Sequence, residues 1–219
     1  MNHEIESTTP ASPEGRRRHN FSRGERIYES GTANGYGRAW RIVSGSVRLD
    51  RPGGDGEAMF ASLAIPGDVI GSETIVLGQT GFAATALLPC VLEPWPEAPA
   101  PCVGAASPEA LSVSLSRNLV MAERRATEVI ALRCGHAMER VQRLVLLLAN
   151  GAGDATRGVR VVLPTLRDMA EITALKIETV SRAIGHLRRD GLLQADKERK
   201  PGVPVRGSYA LHTGSLAAV

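Results

Sequence analysis

The sequence predicts an α+β fold in which an all-β front part and a helical rear part are joined by one long helix. Three observations predict it. Short β-branched or alternating segments separated by glycines recur between residues 25 and 95, a long apolar seam runs from about Glu109 to Leu132, and two shorter amphipathic segments lie between residues 166 and 190. A chain of 219 residues is long enough for two modest cores.

The front part is expected to be a sandwich or jelly-roll barrel over residues 21 to 108, preceded by a flexible polar tail over residues 1 to 20. Turn sequences such as Pro66-Gly67-Asp68 separate the predicted strands. Five prolines between Pro94 and Pro108 indicate a connector rather than a strand or helix. The predicted strands are Glu25–Tyr28, Ala39–Val43, Ser46–Leu49, Ala58–Leu63, Asp68–Ile70, Phe82–Leu87 and Cys90–Trp95.

The next segment, residues 109 to 135, is predicted to be a single helix. Its apolar residues repeat at steps of three and four, which makes a narrow seam flanked by charged side chains. The helix could simply pack on the barrel, but so regular a seam favours a homodimer interface. The seam residues are Leu111, Leu115, Leu119, Ala122, Ala126 and Val129.

Composition and charge limit the classes of function. No apolar run approaches the roughly 20 residues that span a bilayer, and the N-terminus lacks the apolar core of a signal peptide, so we expect a cytoplasmic protein with no membrane partner. No Lys or Arg occurs from Pro52 to Ser116, whereas residues 155 to 206 hold eleven Lys or Arg against six Asp or Glu. A basic rear part predicts a polyanionic partner there.

The rear part, residues 136 to 219, has the pattern of a helix-turn-helix. A buried helix is expected from about His136 to Asn150, followed by a strand over residues 159 to 163. Thr165 can cap a helix that runs to Ile172, and residues 173 to 175 would form the turn. A second helix, Ile177 to Asp190, would bury Ile177, Val180, Ile184 and Leu187.

The opposite side of this second helix carries the candidate DNA-binding residues. Glu178, Ser181 and Arg182 lie near its N-terminal end, where a helix in a major groove meets base edges. Arg can contact guanine through two hydrogen bonds, and Glu can accept one from cytosine. The other candidates are suited to backbone phosphates, and they are Thr165, Lys176, Thr179 and Arg188.

The run from Leu163 to Leu193, LPTLRDMAEITALKIETVSRAIGHLRRDGLL, resembles the helix-turn-helix of the Crp/Fnr superfamily, and the run from Ile177 to Arg182 matches its Fnr and FixK branch. In front, Gly67-Asp68-Val69-Ile70-Gly71 is similar to the family's sensor-barrel motif. The resemblance implies a cyclic-nucleotide-binding-like β jelly-roll barrel, a dimerisation helix and a C-terminal winged helix-turn-helix. The wing would include the basic loop over residues 197 to 202.

The function implied by the resemblance is that of a transcription regulator, either an activator or a repressor, and not an enzyme. It would bind double-stranded DNA as a homodimer on a palindromic TTGA-type operator and contact RNA polymerase. In cyclic-nucleotide-binding members an Arg holds the phosphate and a Glu follows the glycine of the barrel motif. Here Ser72 follows Gly71 and the barrel has no cation after Arg51, so we do not expect control by cyclic AMP in the usual way.

No cofactor is expected. The chain has no cysteine before Cys90, so it lacks the N-terminal cysteines that hold the iron-sulfur cluster of oxygen-sensing members. Cys90 is expected in the barrel core, Cys134 packed between the long helices, and Cys102 exposed as a candidate redox residue, with no metal site among them. Haem stays an alternative, although none of the five histidines falls within the predicted barrel.

Several alternatives remain open at this point. A signal at the barrel could shift the pose of the reading helices, or the protein could bind DNA without any effector. A redox-responsive or haem- and gas-responsive member of the same family is one alternative. Another is a small-molecule-binding barrel module with a degenerate helix-turn-helix, although a cupin-like metal site would need histidines that residues 22 to 134 lack.

Overall fold

The computed structural model describes residues 18–32, 39–54, 56–95, 108–150, 159–195 and 208–211. The front part consists of two four-stranded antiparallel sheets, with strand orders β1-β8-β3-β6 and β2-β7-β4-β5. The strands are β1 (His19–Phe21), β2 (Arg26–Tyr28), β3 (Ala39–Ser44), β4 (Val47–Pro52), β5 (Ala58–Ala64), β6 (Val69–Ile70), β7 (Ala83–Ala86) and β8 (Cys90–Trp95), and α1 (Thr74–Leu77) lies between β6 and β7.

The barrel core is built from alternate residues of both sheets. Trp40, Ile42, Val47 and Leu92 are almost completely buried there, as the alternation of each strand requires. The β3–β4 turn passes close to the start of β8, and Gly45 occupies it with φ +83°. A Cβ at this position would lie 2.2 Å from the carbonyl oxygen of Pro89, so the turn admits only glycine.

The front part differs from the sequence prediction at its beginning. The first strand starts at His19, two residues inside the segment expected to be a tail, because it pairs with β8. The His19 ring also packs edge-on against Trp40, with ring centroids 4.9 Å apart. The expectation that no histidine lies in the barrel is therefore wrong for His19. The four-residue helix α1 was also not predicted.

Two long helices follow, α2 (Pro108–Ala131) and α3 (Ala137–Asn150), and both agree closely with the predicted helical segments. No helix among the described residues is long and apolar enough to cross a membrane. The helix α2 packs against β5 of the barrel, so it contacts its own chain along part of its length. The buried side of α3 includes Val141, Leu144 and Val145, as its even apolar pattern predicts.

The rear part combines a three-stranded antiparallel sheet of order β10-β11-β9 with two short helices. Its elements are β9 (Val159–Val162), α4 (Leu166–Thr173), α5 (Ile177–Arg189), β10 (Leu193–Ala195) and β11 (Ser208–Leu211). Buried residues of α3, α4 and α5 form one cluster with Phe60, Leu63 and Ile65 of the barrel. The rear part therefore packs directly on β5 and the residue that follows it.

Candidate nucleic-acid interface

The N-terminus of α4 is fixed by a capping box. The hydroxyl of Thr165 accepts a hydrogen bond of 3.0 Å from the backbone N–H of Asp168, and the Asp168 carboxylate accepts one of 3.2 Å from the backbone N–H of Thr165. These bonds satisfy amide groups that the helix itself cannot pair. The predicted cap at Thr165 is confirmed.

The turn between α4 and α5 depends on a left-handed residue. Ala174 has φ 52° and ψ 45°, the one positive φ among the described residues other than glycine. From there the backbone N–H of Leu175 donates a 2.9 Å hydrogen bond to the carbonyl of Ala170, and Lys176 is extended before α5 begins. The reversal lets α5 cross α4 with its apolar side inward.

The helix α5 is strongly amphipathic. Val180, Ala183, Ile184 and Leu187 are buried. Ile177 was predicted to share that side but is 45% exposed, because it begins the helix beyond the edge of the core. Ala183 takes part in the core although its small side chain gave little signal in the sequence.

The three predicted base-reading residues lie together on the opposite side. Glu178, Ser181 and Arg182 are exposed, in the first two turns of α5. The Arg182 Nε donates a 3.3 Å hydrogen bond to the carbonyl of Glu178, so the guanidinium lies along the helix near the glutamate. Spaced by three and four residues, these side chains can enter one groove together.

The predicted phosphate-binding residues surround this face. Thr165, Lys176 and Arg188 are exposed, whereas Thr179 is half-buried. The guanidinium of Arg188 lies 5.9 Å from the ring centre of Tyr209 on β11, which ties the end of α5 to the wing strands. The strands β10 and β11, which flank the predicted wing loop, pair antiparallel, with Gln194 opposite Ala210. The basic loop predicted for residues 197 to 202 lies outside the described residues.

The predicted dimer seam on α2 is divided between two environments. Val129 is buried within the chain's own core, so it is not available to a partner, because this part of α2 packs on β5. Leu119 is 70% exposed, and Ile130, which the predicted seam omitted, is 64% exposed. Ala122 and Ala126 are exposed and also line a cavity, Leu115 is half-buried, and Leu111 has a side chain outside the described ones.

A cavity of about 410 Å³ lies between the barrel and α2. Its lining is mainly apolar, and Arg125 is the single cation among the described residues that line it. Arg125 binds both carboxylate oxygens of Asp68, at 2.8 and 3.1 Å, and also pairs with Glu128. The Tyr28 hydroxyl is buried there without a hydrogen-bond partner among the described residues, and burial, aided by Glu73, raises its pKa.

The sequence and the overall fold are similar to those of proteins of known function. Residues 139–203 match the sequence family described as a Crp-like helix-turn-helix domain. The transcriptional regulator LdrP of Thermus thermophilus is 30% identical over 179 residues, which cover 79% of this chain and 85% of LdrP. The chain belongs to the Crp/Fnr family of transcription regulators.

Two further comparisons agree with that membership. The nitrogen fixation regulation protein FixK of Azorhizobium caulinodans is 29% identical over 163 residues, covering 73% of this chain and 64% of FixK. The crystal structure of a CRP-family transcriptional regulator from Thermus thermophilus has a TM-score of 0.64 at 27% identity, covering 90% of this chain and 94% of that one. The predicted family and α+β fold are confirmed, and this Crp/Fnr protein is a DNA-binding regulator rather than an enzyme.

The cysteines of this Crp/Fnr protein differ sharply in environment. Cys90 is buried in the barrel, and burial, with a smaller effect from Glu25, raises the pKa of its thiol to about 12. Cys134 was expected to pack between the long helices but is exposed, because it lies in the bend between α2 and α3. Cys102 lies outside the described residues. Among the described side chains, no three His, Cys, Asp or Glu groups come together as a metal site requires.

The sequence prediction missed three arginines that contact distant elements of the chain. Arg125 is one of the charged side chains that flank the predicted seam, yet it lines the cavity. Arg48 and Arg133 were not singled out, and both contact α4. Arg48 lies on β4 two residues from Asp50, and charged side chains on a strand are usually solvated, so only the packing of α4 reveals Glu171 as a further partner.

Proposed function

We propose that this Crp/Fnr protein binds a palindromic TTGA-type operator as a homodimer, with one α5 helix of each protomer in a major groove. The observation that carries this proposal is the exposed cluster of Glu178, Ser181 and Arg182 on α5, above a fully apolar inner side. A twofold-symmetric dimer would place its two reading helices about one helical turn of DNA apart, roughly 34 Å.

The chemistry of the three readers suits such a half-site. Arg182 would donate two hydrogen bonds to N7 and O6 of the guanine, and Glu178 would accept one from N4 of the paired cytosine. Ser181 can donate or accept at a neighbouring base edge. Around them, the exposed Thr165, Lys176 and Arg188, with the half-buried Thr179, would bind backbone phosphates and so fix the register of α5.

Dimerisation would use the solvent side of α2. Leu115, Leu119, Ala126 and Ile130 follow one another at steps of four, seven and four residues, which keeps them within a narrow sector of the helix. None of the four is buried in the chain's own core. A second copy of α2 would cover this stripe and leave Val129 in its own core. The dimer would act in the cytoplasm as an activator that contacts RNA polymerase.

The protein would not be controlled by cyclic AMP in the usual way, and it would need no cofactor to bind DNA. A cyclic phosphate in the cavity would have to compete with Asp68 and Glu128 for Arg125. Ser72 accepts a hydrogen bond of 2.9 Å from Asn118, and Glu73 accepts one of 3.2 Å from the backbone of Gly81. Neither residue is arranged as a free ribose ligand. The exposed reading face supports binding without an effector.

The test compares the wild type with Arg182→Ala on a palindromic TTGA-type duplex and on a scrambled duplex, by fluorescence anisotropy. We expect the substitution to weaken binding to the palindrome by roughly 1–3 kcal/mol, with little change on the scrambled duplex. Arg189→Ala is the matched control, since it removes an equal charge from the far end of the same helix. If Arg182→Ala leaves the palindrome affinity unchanged, the helix-turn-helix serves another kind of partner.

A further inference from the structure

Two arginines from different parts of the chain lie close to the ring of one phenylalanine. Phe60 is buried near the start of β5. The Arg48 guanidinium carbon lies 5.7 Å from the Phe60 ring centre, and that of Arg133, in the bend after α2, lies 5.0 Å from it. Both distances fall within the range of cation–π attraction. Phe60 therefore links the barrel hairpin to the segment that leads into the rear part.

Arg48 also crosses from the barrel to α4. Its Nε donates to Asp50 at 2.7 Å, and its Nη1 pairs with Glu171 of α4. The side chains of Arg48 and Asp50 are only 14% and 8% exposed, so water screens this pair weakly. Burial alone would lower the pKa of Arg48, but hydrogen bonds and charges from Asp50 and Glu171 outweigh it and raise the pKa.

Arg133 binds the same end of α4, but through the backbone. Its Nη2 and Nε donate to the carbonyl oxygens of Glu171 and Ile172, at 3.1 and 3.2 Å. These carbonyls belong to the last turn of α4, where the helix offers their oxygens few partners and a cation also complements the helix dipole. Thus α4 is held through its side chain at Glu171 and through its C-terminal backbone at once.

The contacts continue to the first turn of α4. Asp168, which closes the cap on Thr165, accepts a 3.3 Å hydrogen bond from Arg23, at the start of the barrel. Arg48 is paired in register with Leu63, a residue of the cavity wall. Barrel, cavity wall and α4 are therefore joined by direct contacts rather than by the chain connection alone.

We propose that Arg48, Phe60, Arg133 and Glu171 form an interdomain clamp that sets the orientation of α4 and α5 relative to the barrel, and so positions the reading helix for its operator. This inference rests on the proposed DNA binding and adds a set of positioning residues that do not touch DNA. The clamp leaves Glu178, Ser181 and Arg182 exposed, so it does not block the reading face.

The physical effect of the clamp is to reduce the cost of ordering on binding. On the operator, two reading helices must enter two major grooves at a fixed spacing. A domain that adopts many orientations in the free protein loses that conformational entropy on binding, which weakens the affinity. A scrambled duplex imposes no such register, because phosphate contacts tolerate many poses. Loss of the clamp should therefore lower the ratio of specific to nonspecific affinity.

The test uses two substitutions whose charge changes have opposite signs, Arg48→Gln and Glu171→Gln. Simple electrostatics would weaken DNA binding in the first and strengthen it in the second. The clamp predicts that the specific-to-scrambled affinity ratio falls about three- to tenfold in both. The matched controls are Arg51→Gln, on the exposed end of the same strand, and Asp190→Asn, after α5, and both should keep the wild-type ratio.

Folding and binding failures are separable. Circular dichroism melting identifies any variant that unfolds. Such a variant is then replaced in the test by Phe60→Leu, which keeps an apolar side chain but removes the aromatic ring. Wild-type ratios in folded Arg48→Gln and Glu171→Gln would overturn the clamp. If the wild type itself shows no preference for the operator, the proposed function fails. The clamp is then tested by pulsed electron paramagnetic resonance, which measures the distance between two spin labels on one chain.

That second measurement places spin labels at the exposed positions Arg51 and Asp190, after Cys102 and Cys134 are replaced by serine. Dilution with unlabelled protein makes pairs within one protomer dominate. A clamp predicts a narrow distance distribution that broadens with Glu171→Gln. Equal widths with and without the substitution would contradict it.

Discussion

Arg125 of α2 binds Asp68 of the barrel through two hydrogen bonds, between Nε and Oδ2 at 2.8 Å and between Nη2 and Oδ1 at 3.1 Å. Asp68 Oδ2 also accepts a 2.9 Å hydrogen bond from the backbone N–H of Ile65, which closes the turn before β6. The acidic residue of the barrel motif therefore has a structural task, since it holds the turn and fastens α2 across the cavity.

Replacing Asp68 by Asn should destabilise the protein by roughly 1.5–3 kcal/mol, since it weakens two charge-assisted hydrogen bonds to the largely buried Arg125, which keeps Glu128 as a carboxylate partner. Urea unfolding at fixed protein concentration measures the change in free energy of unfolding. Glu139→Gln serves as the comparison, because it breaks the exposed Glu139–Arg143 pair and should cost about 0.5 kcal/mol or less. Equal costs for the two substitutions would contradict the role assigned to Asp68.

The solvent side of α2 should control the oligomeric state. Leu119→Asp places a charge in the centre of the proposed stripe and should shift the protein from dimer to monomer at micromolar concentration, as measured by sedimentation velocity. Val113→Asp is the control, since Val113 is 53% exposed on a different side of the same helix and should leave the dimer intact. A Leu119→Asp protein that sediments like the wild type would place the interface elsewhere.

The left-handed Ala174 predicts an unusual response to substitution. A side chain in this conformation costs roughly 1–2 kcal/mol, whereas glycine loses about 0.4–1 kcal/mol through the flexibility of the unfolded chain. Ala174→Gly should therefore raise the free energy of unfolding by about 0.5–1 kcal/mol, and Ala174→Val should lower it. Chemical denaturation measures both changes, and a destabilised glycine variant would show that the turn is not strained.

Thiol chemistry should distinguish Cys90 from Cys134. The raised pKa of Cys90 means that its thiolate is scarce at pH 8, so iodoacetamide should label Cys134 and leave Cys90 unmodified, as mass spectrometry of peptides reports. Folding raises the pKa of Cys90 from its ordinary 9.0, so the folded state binds this proton more tightly than the unfolded state. Its contribution to stability is complete below pH 9 and is lost as the pH rises from there towards 12. Rapid labelling of Cys90 at pH 8 would contradict its burial.

Local sequence signals were sufficient for the elements that carry the function. The cap at Thr165, the apolar spacing of α5 and the exposed readers follow from rules that span four residues, and the structure places each element close to its predicted bounds. The strands near Gly45 and Gly67 were also predictable, since turn chemistry separates them. These features depend on neighbours in sequence.

Contacts between residues that are far apart in the sequence could not be predicted from these local rules. Val129 and Ile130 are adjacent apolar residues of α2, and only the position of β5 decides that the first is buried and the second is exposed. In the same way, the absence of Lys and Arg after Pro52 suggested a cavity without a cation, yet α2 supplies Arg125 from 57 residues further along than Asp68. The spacing of residues in the sequence does not predict which residues of α2 contact the barrel.

The most direct test of the central claim is selection of duplexes from a randomised DNA pool by the purified apo-protein, followed by sequencing. The account predicts an enriched twofold-symmetric motif with TTGA-type half-sites about one helical turn apart, obtained without any added effector. It also predicts that Arg182→Ala loses the preference for guanine within each half-site. Enrichment of no motif, or of a single asymmetric site, would contradict the account.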